Sequence, residues 1–190
     1  VFHWLMVVCF FGAYVTAESE RWRLWHVTLG YTMAGLVAFR ILWGFMGTRY
    51  ARFSNFVRGP AAVARYVGGI LRGRPEHVLG HNPAGAVAIV LLLGLAVAIS
   101  ASGWATYNEI GGNWLEEVHE VAGNLMLAVV GVHVAGVIVS SWLHQENLVG
   151  AMIDGRKQGD PGAGVRSAWR TVAALPGTAP DRGVSAAAPL

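Results

Sequence analysis

Residues 118–143 read VHEVAGNLMLAVVGVHVAGVIVSSWL, an apolar run that contains two histidines. His119 and His133 are fourteen residues apart. At about 3.6 residues per turn and 1.5 Å rise, an α-helix would hold them within about 40° of one face and about 21 Å apart. Polar side chains are costly in the roughly 30 Å hydrocarbon core of a bilayer. Each imidazole is therefore expected to have either a hydroxyl or carbonyl partner or a cofactor.

The composition is that of a membrane protein. Of 190 residues, 54% are hydrophobic and 13% charged, and the mean hydropathy is +0.46. These values predict one polytopic domain of several spans with short connections. The net charge of +3 does not indicate nucleic acid, because most arginines flank apolar runs. Cys9 is the sole cysteine, which excludes a disulfide, a thiolate zinc site and a C-x-x-C-H haem attachment.

Hydropathy predicts four spans, at about 1–17, 24–47, 83–106 and 118–143. The run begins directly at Val1, and we expect further residues upstream of it. The third span has neither histidine nor charge and is predicted to pack against the others without binding a ligand.

The connections set the orientation of these spans. The connection 48–82 carries six arginines and one acid, so it is predicted to be cytoplasmic. The connection 107–117 carries three glutamates and no basic residue, as expected on the opposite side. We therefore expect an all-α, transmembrane four-helix bundle with both termini cytoplasmic. Residues 1–154 would form this domain, and the Gly, Ala, Pro and Ser-rich segment 155–190 a flexible cytoplasmic tail.

Two features of the basic connection have two interpretations each. Pro60 favours the start of a short helix. That helix would lie on the membrane surface, or the segment would be an ordinary solvated basic loop. His77 and His81 have a spacing that binds metal on a helix, but Gly80 and Pro83 favour a turn.

The predicted orientation sorts four histidines by depth. His26 and His119 each begin an inward-running helix and lie near the periplasmic face, whereas His3 and His133 lie near the cytoplasmic face. A six-coordinate haem iron binds one imidazole on each side of its ring, and helix bundles supply such ligands from facing helices. The two pairs, His26 with His119 and His3 with His133, predict two haems.

Three glycines lie on the same helical faces as these histidines. Gly30 follows His26 by four residues, and one glycine follows each histidine of the fourth span at a similar interval, namely Gly123 and Gly136. Small residues there would let a flat macrocycle approach the backbone. Helix packing in lipid is the alternative explanation.

Arg40 lies fourteen residues after His26, which places it at the depth of His133. A buried guanidinium needs a carboxylate, and the spans have no acid at that depth. Arg40 would therefore bind a propionate of the cytoplasmic-side haem, or would extend to the cytoplasmic interface.

Several short motifs contain or lie near these positions: HW at 3–4, HVTLGYTMAG at 26–35, GHNP at 80–83, GVHVAG at 131–136 and ENLVGAMI at 146–153. Over residues 1–157 the chain resembles the bacterial cytochrome b561 family, and GHNP also resembles the b-type cytochrome subunit of membrane-bound nickel-iron hydrogenases. The resemblance implies four membrane helices and two b-type haems that exchange electrons with quinone. By position, it implies His3, His26, His119 and His133 as ligands.

These observations predict an electron carrier in the lipid of the bacterial inner membrane. It would connect a periplasmic redox partner (a c-type cytochrome, a hydrogenase or another dehydrogenase) with the quinone pool. Bis-histidine ligation leaves iron no open position, which favours electron transfer over oxygen binding. One alternative is a stand-alone superoxide:quinone oxidoreductase. Another is a haem-free membrane protein, either a histidine-containing metal transporter or a structural subunit.

Overall fold

The computed structural model describes residues 2–47, 51–57, 59–72, 83–144 and 147–150. Within those ranges the chain is helical and contains no strand. In chain order the elements are α1 (Phe2–Thr16), a 3-10 helix (Glu20–Trp22), α2 (Arg23–Met46), α3 (Phe53–Phe56), α4 (Pro60–Leu71), α5 (Pro83–Tyr107) and α6 (Trp114–His144). The predicted tail 155–190 and the pair His77 and His81 lie outside the described residues.

Three of these helices are long and apolar enough to cross a bilayer. The corresponding segments are Glu20–Met46, Pro83–Tyr107 and Trp114–Leu143. Helix α1 is equally apolar but has 15 residues. Such a helix is about 22 Å long, whereas a typical span of about 20 residues is about 30 Å long. The all-helical membrane class is confirmed, whereas the count of four spans and the orientation of the termini stay predictions.

The surfaces of the long helices are those of a protein in lipid. Large apolar side chains are highly exposed on α1, α2 and α6, for example Val8 (63%), Leu24 (75%) and Val132 (73%). Contiguous exposed apolar surface of this kind is unfavourable in water and normal in a bilayer. The best-buried positions include several alanines, as is common where membrane helices pack closely: Ala86, Ala96, Ala105 and Ala122. The chain is therefore a multi-pass membrane protein.

The chain divides into two compact units. The first consists of Val1–Leu42 and Val87–Ala135, and the second comprises the remainder. The first unit contains Arg40 and the four histidines that the sequence predicts as haem ligands: His3, His26, His119 and His133.

Helix α4 belongs to the second unit and begins at Pro60, as the sequence predicts. Proline suits the first helical position, because its missing N–H would have no intrahelical partner there. Tyr66 is buried and Val67 is exposed. The location of this helix at the membrane surface stays a prediction.

The α5–α6 connection is short and bends sharply. Gly111 and Gly112 have φ values of +87° and +82°, and Glu109 has +57°. Positive φ is readily adopted by glycine, so GG at this point lets the chain reverse within a few residues. Helix α6 begins at Trp114 rather than at the predicted Val118, and Glu116 and Glu117 lie in its first turn. Carboxylates stabilise this end of the helix dipole.

The packing of α3 against the end of α2 gives a test of the second unit. A Cβ added to Gly44 would overlap the ring of Phe53. We expect Gly44→Ala to lower the free energy of unfolding by about 2 kcal/mol, the usual cost of overpacking. Thermal unfolding in detergent measures this change.

Gly35→Ala is the matched control, because a Cβ there meets nothing within 4 Å. Alanine has the higher helix propensity, so this control should be neutral or stabilised. Equal melting temperatures for Gly44→Ala and Gly35→Ala would contradict the close packing of the Phe53 ring against Gly44.

Candidate functional site

Two predicted site histidines come together in the first unit. His26 is in the first turn of α2 and His119 in the second turn of α6. Their ring centroids are 5.9 Å apart, and the ring planes are inclined by 77°. Both side chains are partly buried. The structure thus brings together the pair that the sequence assigns to the periplasmic side.

The ring of His26 is held by the C-terminal end of α1. Its Nδ1 lies 2.9 Å from the carbonyl oxygen of Ala13. That carbonyl is available because α1 ends at Thr16, and the amide of Ala17 donates to Tyr14 instead. A carbonyl only accepts hydrogen bonds, so Nδ1 carries the proton and Nε2 is the free nitrogen.

The ring of His119 is held in the same way by α5. Its Nδ1 lies 3.0 Å from the carbonyl oxygen of Ile99 and 3.3 Å from Oγ of Ser102. The contact with the carbonyl again places the proton on Nδ1 and leaves Nε2 free. Gly103 permits this approach, since a Cβ there would lie 2.7 Å from Cε1 of His119.

A cavity of about 460 Å³ adjoins the histidine pair. Its walls come from α1, α2 and α5 together with His119 of α6, and His26 also lines it. The remaining lining side chains are mostly apolar, among them Cys9 and Phe10. Gly30 also lines the cavity, and a Cβ there would meet nothing within 4 Å. Gly123 has similar free space but is not among the lining residues.

The second predicted pair lies elsewhere in the first unit. His3 and His133 are both partly buried. The ring of Phe2 packs 5.7 Å from the ring of Phe39, which brings the start of α1 to the part of α2 that carries Arg40. Arg40 is itself partly buried. A Cβ at Gly136 would meet nothing within 4 Å.

Sequence reasoning missed the groups that orient the two histidines. The carbonyls of Ala13 and Ile99 have no signature in the sequence, because every residue has a carbonyl. Ser102 and Gly103 are visible in the sequence, but nothing there distinguishes them from Ser100 and Gly94 in the same third span. That span binds no ligand in the prediction, and the structure adds that it contacts the ring of His119.

The described residues contain no group of three or more His, Cys, Asp or Glu side chains that could hold a metal ion. A metal ion bound by protein side chains alone usually has three or four of them as ligands. Haem iron needs only the two axial ones, because the porphyrin supplies the rest. The pair His26 and His119 has the ligand number that haem requires.

The fold defines the class of a helical, multi-pass membrane protein. Within that class, the sequence pattern described as prokaryotic cytochrome b561 matches residues 1–155, so the chain belongs to the prokaryotic cytochrome b561 family. Neither the curated proteins nor the solved structures gave a match. Members of this family are membrane b-type cytochromes that bind haem and transfer electrons.

The contact between Gly103 and His119 leads to a prediction about haem binding. Gly103→Val would push the His119 ring away from the carbonyl of Ile99, because even a Cβ is too close to that ring. We expect this variant to lose at least half of its b-type haem. The haem content per chain is measured from the absorbance of the dithionite-reduced protein.

Gly94→Val on the same helix is the control, since a Cβ there meets nothing within 4 Å. Both substitutions introduce a β-branched residue into α5. Full haem content in Gly103→Val would show that the ring of His119 does not need this space.

Proposed function

We propose that the chain is a di-haem b-type cytochrome of the bacterial inner membrane. It carries electrons between a periplasmic redox partner and the quinone pool. The observation that supports this most directly is the pair His26 and His119, with rings 5.9 Å apart and both Nδ1 atoms bonded to backbone carbonyls.

The spacing of this pair fits axial ligation. An imidazole nitrogen lies about 2 Å from a bound metal ion, so two imidazoles on opposite sides of an iron have ring centres roughly 6 Å apart. Histidine ligands usually donate their other ring N–H to a carbonyl or carboxylate, which fixes the tautomer and the ring orientation. Both histidines have this arrangement, which supports His26 and His119 as axial ligands.

The surroundings of the pair suit a porphyrin. The cavity is apolar, and its volume of about 460 Å³ is within the range of small-molecule and cofactor sites. Gly30 leaves the wall beside His26 free of side chain. Gly123 would serve the same purpose beside His119.

The second haem would bind between His3 and His133, with Gly136 near its ligand on α6. His119 and His133 are on the same face of one helix, about 21 Å apart along its axis. Two sites at these levels would cover most of the roughly 30 Å hydrocarbon core. When bound, each haem supplies a one-electron iron couple. The four histidines would ligate the two haem irons, two to each iron, which favours electron transfer over oxygen chemistry.

The charges near the periplasmic-side pair, His26 and His119, favour a protein partner. The residues before α2, the α5–α6 connection and the first two turns of α6 expose several carboxylates: Glu18, Glu20, Glu109, Glu116, Glu117 and Glu120. Two arginines are also exposed there, and one of them, Arg23, pairs with Glu20 at 3.9 Å. A net negative surface repels superoxide and attracts a basic surface of a redox protein, such as a c-type cytochrome or a dehydrogenase subunit. This favours a carrier over a stand-alone superoxide oxidoreductase.

The pairing of the histidines can be tested by counting haems. We expect two b-type haems per chain in the wild type, from the dithionite-reduced spectrum and iron analysis. His26→Ala and His119→Ala should each remove one haem, and the double variant should remove no more than either single variant, because both residues bind the same iron.

His3→Ala and His133→Ala should behave in the same way for the other haem, with a different midpoint potential lost. His77→Ala is the control and should keep both haems. A protein without a b-type spectrum would refute the proposal and favour a haem-free membrane protein. A double variant of His26 and His119 that loses both haems would refute the pairing.

Arg40 would bind a propionate of the cytoplasmic-side haem, and the positive charge of Arg40 would favour the reduced iron. We therefore expect Arg40→Leu to shift the midpoint potential of the haem that depends on His133 to a more negative value. Arg40→Lys keeps the charge and should change the potential less. Redox titration of both variants measures these shifts, and an unchanged potential in Arg40→Leu would count against the propionate contact.

A further inference from the structure

Ser102 is the polar residue that the described part of the chain buries most completely, with 4% of its surface exposed. Its Oγ lies 2.7 Å from the carbonyl oxygen of Ala98 and 3.2 Å from that of Ile99. The shorter contact takes the single hydroxyl proton, in the back-bonded geometry that is common for serine in helices. The lone pairs of Oγ then remain as acceptors.

Those lone pairs face one particular donor. Nδ1 of His119 is 3.3 Å from Oγ of Ser102 and 3.0 Å from the carbonyl oxygen of Ile99. The Nδ1–H group of His119 is therefore shared between two acceptors on α5. Nδ1 of His26 contacts a single acceptor among the described residues, the carbonyl of Ala13 at 2.9 Å. The two histidines of the pair thus differ in how strongly their N–H groups are polarised.

We propose that Ser102 is a positioning residue that tunes the axial ligand His119. Its hydroxyl serves as a second acceptor for Nδ1–H and makes the imidazole a stronger electron donor. This inference rests on the proposed ligation of haem by His119.

The direction of the effect follows from the ligand chemistry. An acceptor on the far nitrogen of a ligating histidine raises the basicity of the nitrogen that binds the metal. A more basic ligand stabilises ferric iron relative to ferrous iron and lowers the midpoint potential. Ser102 would therefore lower the midpoint potential of the haem between His26 and His119. The potential would be higher if the Ile99 carbonyl were the sole acceptor.

A purely structural role makes a different prediction. Small residues are frequent where membrane helices pack, and in that role alanine would replace serine without consequence. The proposed role depends on the hydroxyl itself, so a methyl group of the same size cannot replace it. The pair Ser102→Thr and Ser102→Val isolates this difference, because the two side chains differ only in a hydroxyl against a methyl.

The test is a redox titration of the purified haem-loaded protein and its variants. Ser102→Ala and Ser102→Val should shift the midpoint potential of one haem to a more positive value, and this haem is the one that His26→Ala removes. The other haem should not shift. Ser102→Thr should restore the wild-type potential. The haem content should stay at two per chain in all three variants.

Thr32→Ala is the matched control. Oγ1 of Thr32 donates to the carbonyl of Thr28 at 2.8 Å, the same back-bonded geometry, but on an exposed face of α2. Its removal should leave both potentials unchanged. The EPR signal of the ferric protein gives a second measurement, since it depends on the angle between the two imidazole planes. It should change in Ser102→Ala and Ser102→Val but not in Thr32→Ala.

Unchanged potentials and an unchanged EPR signal in Ser102→Ala and Ser102→Val would overturn the inference. Equal shifts of both haems, or a shift in Ser102→Thr as large as in Ser102→Val, would do the same. These outcomes leave the proposed function intact as long as His119→Ala removes one haem. A wild-type protein without haem, or a His119→Ala variant that keeps both, would refute the proposed ligation and the inference together.

Discussion

An imidazole within a membrane helix must have both of its nitrogens satisfied, and much of the first unit follows from this requirement. Water cannot serve as the partner in hydrocarbon, and an unmet polar group there costs several kcal/mol, to order of magnitude. His26 and His119 meet half of the requirement with backbone carbonyls. The other nitrogen of each ring remains for a ligand. The geometry of the pair is thus a consequence of burying two polar rings next to an apolar cavity.

The two carbonyls come from helices that carry no histidine of the pair. Helix α1 offers Ala13 because it ends a few residues later, which leaves that carbonyl without an amide partner. Helix α5 offers Ile99 within its span, where Gly103 allows the ring to approach. The two histidines of the pair and the two carbonyls that hold them therefore come from different helices. The lack of charge and histidine in α5 is consistent with a supporting role.

The sequence was sufficient to predict the coarse architecture. Apolar runs of the right length located the long helices, and histidine intervals indicated which rings share a depth. His26 and His119 do lie together. The groups that hold them were beyond sequence reasoning, because main-chain carbonyls have no residue signature and Ser102 was one hydroxyl in a hydrophobic stretch. The start of α6 was also missed by four residues, since Glu116 and Glu117 in its first turn lower the local hydropathy.

The central claim is that one haem iron lies between the second and sixth helices. X-ray diffraction data from crystals of the purified protein, collected at the iron absorption edge, test this directly. We expect an anomalous peak between Nε2 of His26 and Nε2 of His119, about 2 Å from each. Well-ordered imidazoles with no iron between them, or with iron bound to only one, would contradict it.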